Sequence, residues 1–206
     1  LLKDRLEGIG YFTLKNLERL AKNHPDCEFV LFFDRPYDKD FVFADNVKPI
    51  VIPLPTRHPM LWHIYFEILL PIYIRLYKID VFFSPEGYIP TRVKTPKLCT
   101  IHDINFEHEK TYIGNKVYQR YMEYFTPRFA KSANAVLTVS EFSKQDIATT
   151  YQIDENKIFN VESSANEEYI TYSKEENEIT RERYSNSCPY FYFVGSLQKR
   201  KNLTNL

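Results

Sequence analysis

Leu98-Cys-Thr-Ile101-His102-Asp103 is a short apolar run that stops on a histidine and an aspartate. It is too short for a helix and does not alternate, the pattern of a strand buried on both faces of a parallel sheet. Working outward, the same pattern recurs at Asp80-Val-Phe-Phe-Ser84, at Ala135-Val-Leu-Thr-Val139, over Val47 to Pro53, and from Cys27 to Phe33, which is bounded by Asp34 and Pro36. Helical periods fall between these runs. Leu14, Leu17, Leu20 and Ala21 form an apolar stripe directly after Gly8 and Gly10, and Tyr118, Met122, Phe125 and Phe129 repeat at four, three and four between Asn115 and Ser132. Ser143-Lys-Gln-Asp146 has capping-box spacing at a further helix entrance, with Ser140 as the alternative cap. Strand and helix in alternation predict an α/β fold: a Rossmann-like, largely parallel sheet with helices on both faces and functional residues at the carboxyl ends of its strands.

Composition narrows the class. The 206 residues are 44% hydrophobic and 26% charged, ordinary for a globular protein with a full core. Lys plus Arg balances Asp plus Glu at 27 each, so no overall field draws a polyanion, and nucleic acid is excluded as an expected partner. Sixteen Tyr and sixteen Phe stand against five Gly, which marks the glycines as positions where the backbone needs them. Cys27, Cys99 and Cys188 are odd in number, far apart, and in or beside apolar runs, the pattern of reduced core cysteines. The expected compartment is the cytoplasm. No signal peptide is visible, and Leu1 is not an initiator methionine, so residues are expected to be missing before it.

The longest apolar stretch runs from Leu61 to Tyr77 and is interrupted by His63, Glu67, Pro71 and Arg75. It falls short of the roughly 20 apolar residues of a membrane span. Two readings remain: a core helix kinked or restarted near Pro71, or a peripheral membrane contact through the Trp62 to Tyr77 segment, flanked by Arg57, Arg75 and Lys78.

Polar and charged residues at strand ends supply the candidate site. Gly8-Ile-Gly10 opens a helix whose free N–H groups suit a phosphate or a sugar hydroxyl, with a plain tight turn as the alternative. His102 follows a predicted strand directly and so projects from the carboxyl edge of the sheet, in a structural or an acid/base role. His102, Asp103, Glu107 and His108 match no zinc spacing, and no metal is expected. From Asn160 to Asn186 the chain is polar, Glu-rich and free of Gly, with a short helix predicted around Lys174 to Tyr184. This region reads as a connector. Tyr190-Phe-Tyr-Phe-Val194-Gly195 then reads as a buried strand and glycine turn, followed by the cations Lys199, Arg200 and Lys201, the way an anion-holding α/β domain begins. The expected organisation is therefore one domain over residues 1–186 and the start of a second over 187–206.

Four segments together carry a resemblance: Gly8-Ile-Gly10-Tyr-Phe-Thr, Thr100-Ile-His102-Asp103, Ala133-Asn-Ala-Val-Leu-Thr-Val-Ser140-Glu-Phe-Ser-Lys144, and Phe193-Val-Gly195-Ser-Leu-Gln-Lys-Arg200-Lys201-Asn. In this order they resemble the bacterial family 4 (group 1) glycosyltransferases. The resemblance implies the first half of a two-domain GT-B architecture, whose first domain binds a glycan or lipid-linked acceptor and whose second binds a nucleotide-diphosphate sugar. It implies transfer with retention of anomeric configuration, with no metal and no cofactor beyond the donor itself. Carried over by position, Gly10 with Gly8 faces the donor phosphate, His102 faces the sugar as the catalytic-site residue, and Lys201 with Arg200 holds the diphosphate. Ser196 stands where many members have arginine, and Ser163-Ser164 where an Asn-Gly pair is usual. The 206 residues alone are then expected to be inactive. A non-catalytic acceptor- or partner-binding module, or half of a GT-B-type epimerase or phosphorylase, are the alternatives on the same plan.

Overall fold

The computed structural model describes residues 6, 8–56, 58–109, 115–164, 170–195, 197 and 201–205. Arg57, Ser196 and Arg200 lie outside the described residues. The chain divides into two compact units, Leu1–Ser163 and Ser164–Leu206.

The first unit begins with α1 (Gly8–Asn23), β1 (Phe29–Phe33) and β2 (Val47–Val51), followed by α2 (Pro59–Ile64), a π-helical segment (Tyr65–Leu69) and α3 (Leu70–Leu76). It continues through β3 (Phe82–Ser84), β4 (Lys97–Thr100), α4 (Asn105–His108), α5 (Lys116–Ser132), β5 (Ala135–Thr138), α6 (Glu141–Tyr151) and β6 (Ile158–Asn160). Every strand pairing is parallel. β1 pairs β2 with Phe29 opposite Val47 and Phe33 opposite Val51, and β3-β4-β5-β6 follow in sequence order in a second sheet. Parallel neighbours need crossover connections. Helices supply two of them, α5 from β4 to β5 and α6 from β5 to β6, while α2–α3 carries the chain from the first sheet to the second. The result is the Rossmann-like α/β layering with helices on both sides that the alternation predicts.

Each strand expected in this unit forms, with ends displaced by up to two residues, and β6 is an addition that its three-residue length hides from pattern reading. Cys99 of β4, Val136 of β5 and Ile158 of β6 lie in one buried row with Ile101, Ile104, Phe129 and Ile147. A second cluster joins Ile52, Tyr65, Leu70 and Ile74 to Phe32 of β1 and Phe82 of β3. Phe82 packs against both clusters and so links the two sheets through one side chain. Asn115 caps α5, accepting from the amides of Val117 and Tyr118. At α6 it is Ser140, with extended backbone, that accepts from Ser143 N at 3.1 Å, while Ser143 itself is buried inside the helix.

The aromatic segment restarts near Pro71, the first of its two readings, with α3 beginning at Leu70 and Pro71 in its first turn. Proline offers no amide for an i to i−4 bond, and the Leu70 amide instead donates to Tyr65 O, five residues back. The extra residue in that turn is absorbed as a π segment. Tyr65, Leu70 and Ile74 are buried and Trp62 is half-buried, whereas Ile68, Ile72 and Leu76 are exposed. Among the described residues, no helix is long and apolar enough to cross a membrane.

The second unit contains α7 (Lys174–Ser185), opened by a full capping box in which Glu176 N donates to Ser173 Oγ and Ser173 N to Glu176 Oε2. No residue of α7 is buried. Residues 190–194 differ from expectation: they form no strand, and Phe191, Tyr192 and Val194 stand exposed. A strand exists only by pairing, and the described residues of this unit contain no other strand to pair with.

The cysteines also need correction. All three are unbridged, but only Cys99 is a core residue, its thiol pushed up to about 12 by burial and set 3.1 Å from Gly87 O. Cys27 and Cys188 are exposed, because each precedes rather than joins an apolar run.

Candidate functional site

The carboxyl ends of β3 and β4 open into a cavity of about 540 Å³. Its floor is the end of β4 and the residues after it, Thr100 to Asp103, and one wall is Glu86, Gly87 and Tyr88, which follow β3. Ile9 from the first turn of α1 closes one side, Trp62 and Phe66 another, and Tyr118, Met122 and Thr126 of α5 the last. The structure thus brings the Gly8-Ile-Gly10 turn and His102 to the same sheet edge. The Phe12 ring meets the His102 ring edge-on at 4.8 Å. Gly8 and Gly10 belong to the first turn of α1, where helix amides lack intrahelical partners. Open space surrounds the position a Cβ on Gly8 would take.

His102 Nε2 lies 3.1 Å from Pro85 O. A carbonyl only accepts, so Nε2 carries the proton in this contact, and Nδ1 is the accepting nitrogen whenever the ring is neutral. The main chain is fixed by Thr138 Oγ1, which donates to His102 O at 3.5 Å. Asp103 is exposed and accepts from Asn105 N, opening α4.

Sequence reading missed the frame that holds the aromatic wall. Asp34, just past β1, accepts from the Thr56 amide at 2.9 Å and the Thr56 hydroxyl at 2.6 Å, and from both arms of Arg35. Burial alone would raise its carboxyl, but Arg35 and Thr56 together hold it well below the usual carboxylate range. Thr56 O in turn accepts the indole N–H of Trp62. The Trp62 ring lies 5.5, 5.3 and 5.2 Å from those of Tyr88, Tyr118 and Tyr121. The Tyr88 and Tyr118 hydroxyls share a hydrogen bond at 3.0 Å, and burial pushes the Tyr88 phenol far up, so it stays neutral. Gly87, with φ +89, is the glycine this site requires, because a Cβ there would meet Thr100 O at 3.2 Å. The scarcity of glycine was the available signal for it, and Asp34-Arg35-Pro36 at a strand end was the signal for the frame.

The acidic and histidine residues after β4 part company. Glu107 accepts from Tyr151 Oη at 3.0 Å, and His108 Nε2 meets Asp146 at 2.8 Å, so neither converges on His102. Among the described residues there is no group of three or more His, Cys, Asp and Glu that would hold a metal. In the second unit Lys201 is exposed, and its expected neighbour Arg200 lies outside the described residues.

Comparison with known proteins agrees with the fold. The chain is 26% identical over 218 residues to O-antigen chain mannosyltransferase B of Escherichia coli, matching all of this chain and 56% of that protein. In fold it is similar to a glycosyltransferase from Rickettsia africae ESF-5, with a TM-score of 0.53 at 16% identity over 87% of this chain and 47% of that one. The chain therefore spans about half the length of the relatives it matches. The profile of Glycosyltransferase Family 4 matches residues 7–161, from the opening of α1 to the end of the parallel sheet, and the chain belongs to that family.

Proposed function

We propose that this chain forms the acceptor side of a retaining glycosyltransferase that moves a sugar from a nucleotide-diphosphate donor to a glycan or lipid-linked acceptor. The observation that carries the reading is the cavity itself: an aromatic wall beside a histidine at the carboxyl edge of a parallel sheet, in a chain of Glycosyltransferase Family 4. Aromatic ring faces fit the apolar C–H face of a pyranose, while Thr56, Glu86, Asp103 and His102 offer polar groups around its rim. Gly8 and Gly10 present the amide end of α1 to the donor phosphates. Arg200 and Lys201 are assigned to the diphosphate, where positive charge stabilises the leaving group as its negative charge grows. His102 contacts the transferred sugar, with Nδ1 accepting a sugar hydroxyl. The reaction is assigned without a metal, and its setting is cytoplasmic polysaccharide synthesis. The named relative makes mannose the first sugar to try.

The test is a transfer assay on this chain expressed with whatever its gene encodes on either side, using nucleotide-diphosphate mannose and membrane glycolipid as acceptor. His102→Ala should lower kcat by about a hundredfold while leaving the fold intact by circular dichroism. Full activity in that variant would remove His102 from the site.

A further inference from the structure

The helical segment around Pro71 is apolar on two opposite faces, and only one of them is used. Leu70 and Ile74 pack inward under the sheet. Ile68, Ile72 and Leu76, four residues apart, are 53%, 56% and 67% exposed. At about 100° per residue these three share one face, turned away from Leu70 and Ile74. A helix that is apolar all round belongs either in a core or against a membrane, and this one is at the surface.

The charges around it are sorted by sign. Glu67, the acid within the segment, is turned inward, its carboxylate accepting from the Thr91 amide and hydroxyl at 2.9 Å. Arg75 and Lys78 are exposed, and neither has an ion-pair partner among the described residues. Asp80 is the exposed acid at the far end of the segment. Tyr73 and Tyr77, stacked at 6.3 Å and half-buried, lie beside the stripe as interfacial side chains. An exposed aliphatic row flanked by exposed cations is complementary to an anionic bilayer surface. It is poorly suited to a second copy of the chain, since a two-fold contact would bring Arg75 and Lys78 towards their own counterparts.

We infer that Ile68, Ile72 and Leu76, with Arg75 and Lys78, form a docking face for anionic phospholipid. Trp62 and Tyr65 are not part of it, because they belong to the aromatic wall and the core. The inference extends the lipid-linked branch of the proposed function. It is read by vesicle binding without any sugar transfer, so the two fail separately.

The experiment is flotation of the chain with phosphatidylglycerol vesicles and with phosphatidylcholine vesicles, at low and at physiological salt. Binding to phosphatidylglycerol is expected, weakening with salt and on neutral vesicles. Ile72→Asp should reduce it more than tenfold, about the loss expected when an inserted aliphatic becomes a charge. Arg75→Gln and Lys78→Gln should each reduce it about fivefold. The glutamine variants touch only exposed side chains, so they decide the matter even where Ile72→Asp perturbs folding. Absence of flotation, equal binding to neutral vesicles, or unchanged binding in the glutamine variants would overturn the inference. A concentration-dependent dimer in sedimentation velocity that Ile72→Asp abolishes would assign the face to a second copy instead.

Discussion

Replacing Asp34 by Asn should loosen the cavity wall from a distance. The Asp34 carboxylate accepts from Arg35 Nε at 2.8 Å and Nη2 at 2.6 Å, and from the amide and hydroxyl of Thr56 at 2.9 and 2.6 Å. Arg35 is its sequence neighbour and 31% exposed, so water replaces that pair at small cost. The Thr56 bonds tie the end of β1 to the loop before α2. Hydrogen bonds to a charged acceptor contribute about 1.5–3 kcal/mol each. Asn keeps one accepting oxygen, and the Asp34 side chain is itself 20% exposed, so the net loss should be about 2 kcal/mol. In a chain of this size that lowers Tm by about 4–8 °C. The assay is built in, because Trp62 is the only tryptophan and its indole donates to Thr56 O. Asp34→Asn should shift its emission to the red and lower its urea midpoint. The same link sets a pH dependence. With its folded pKa held below the unfolded value, the carboxylate stabilises fully above about pH 3.9 and loses that contribution as pH falls towards the folded value. An acid step in Trp62 emission below about pH 4 should therefore be present in the wild type and missing in Asp34→Asn. Unchanged emission and midpoint in a natively folded Asn variant would refute the proposed frame.

Gly87→Ala should destabilise by about 1–3 kcal/mol, since it places a Cβ at a left-handed φ and 3.2 Å from Thr100 O; a midpoint equal to wild type would contradict that geometry. Ile147→Ala, in the buried cluster beside β5 and β6, should cost about 2–5 kcal/mol, read as a lowered urea midpoint; a midpoint equal to wild type would contradict that burial. Cys99 should resist alkylation in the native state while Cys27 and Cys188 react, as counted by mass spectrometry, since burial keeps its thiol protonated.

The parallel strands were legible because each is a short run that must be apolar on both faces, and the helices because their stripes keep a period that packing enforces. His102 was legible for a related reason: whatever follows a buried strand must emerge at the sheet edge. The frame of Asp34, Thr56 and Trp62 was not, since its members are 22 and 6 residues apart and meet only once β1 and the loop before α2 are placed side by side. Tyr190 to Val194 shows the opposite failure, in which an apolar run with strand propensity remains exposed because pairing is a property of neighbours and not of the run itself. The aromatic segment fell between these cases: its composition announced burial, and only the fold shows which of its two apolar faces is covered.

The π turn at Tyr65–Leu69 makes this region sensitive to residue count in a way that side-chain chemistry does not reveal. One residue more or less in a helix rotates everything beyond it by about 100°. Trimming that turn to ordinary helix would leave Trp62 facing the tyrosines but swing α3 about its axis, carrying Leu70 and Ile74 away from Phe32 and Phe82. Two tasks of one rod, walling the cavity and seating on the sheet, are thus held in phase by a single supernumerary residue. A one-residue gap in this stretch should be far less tolerable than any conservative exchange of the residues that compose it.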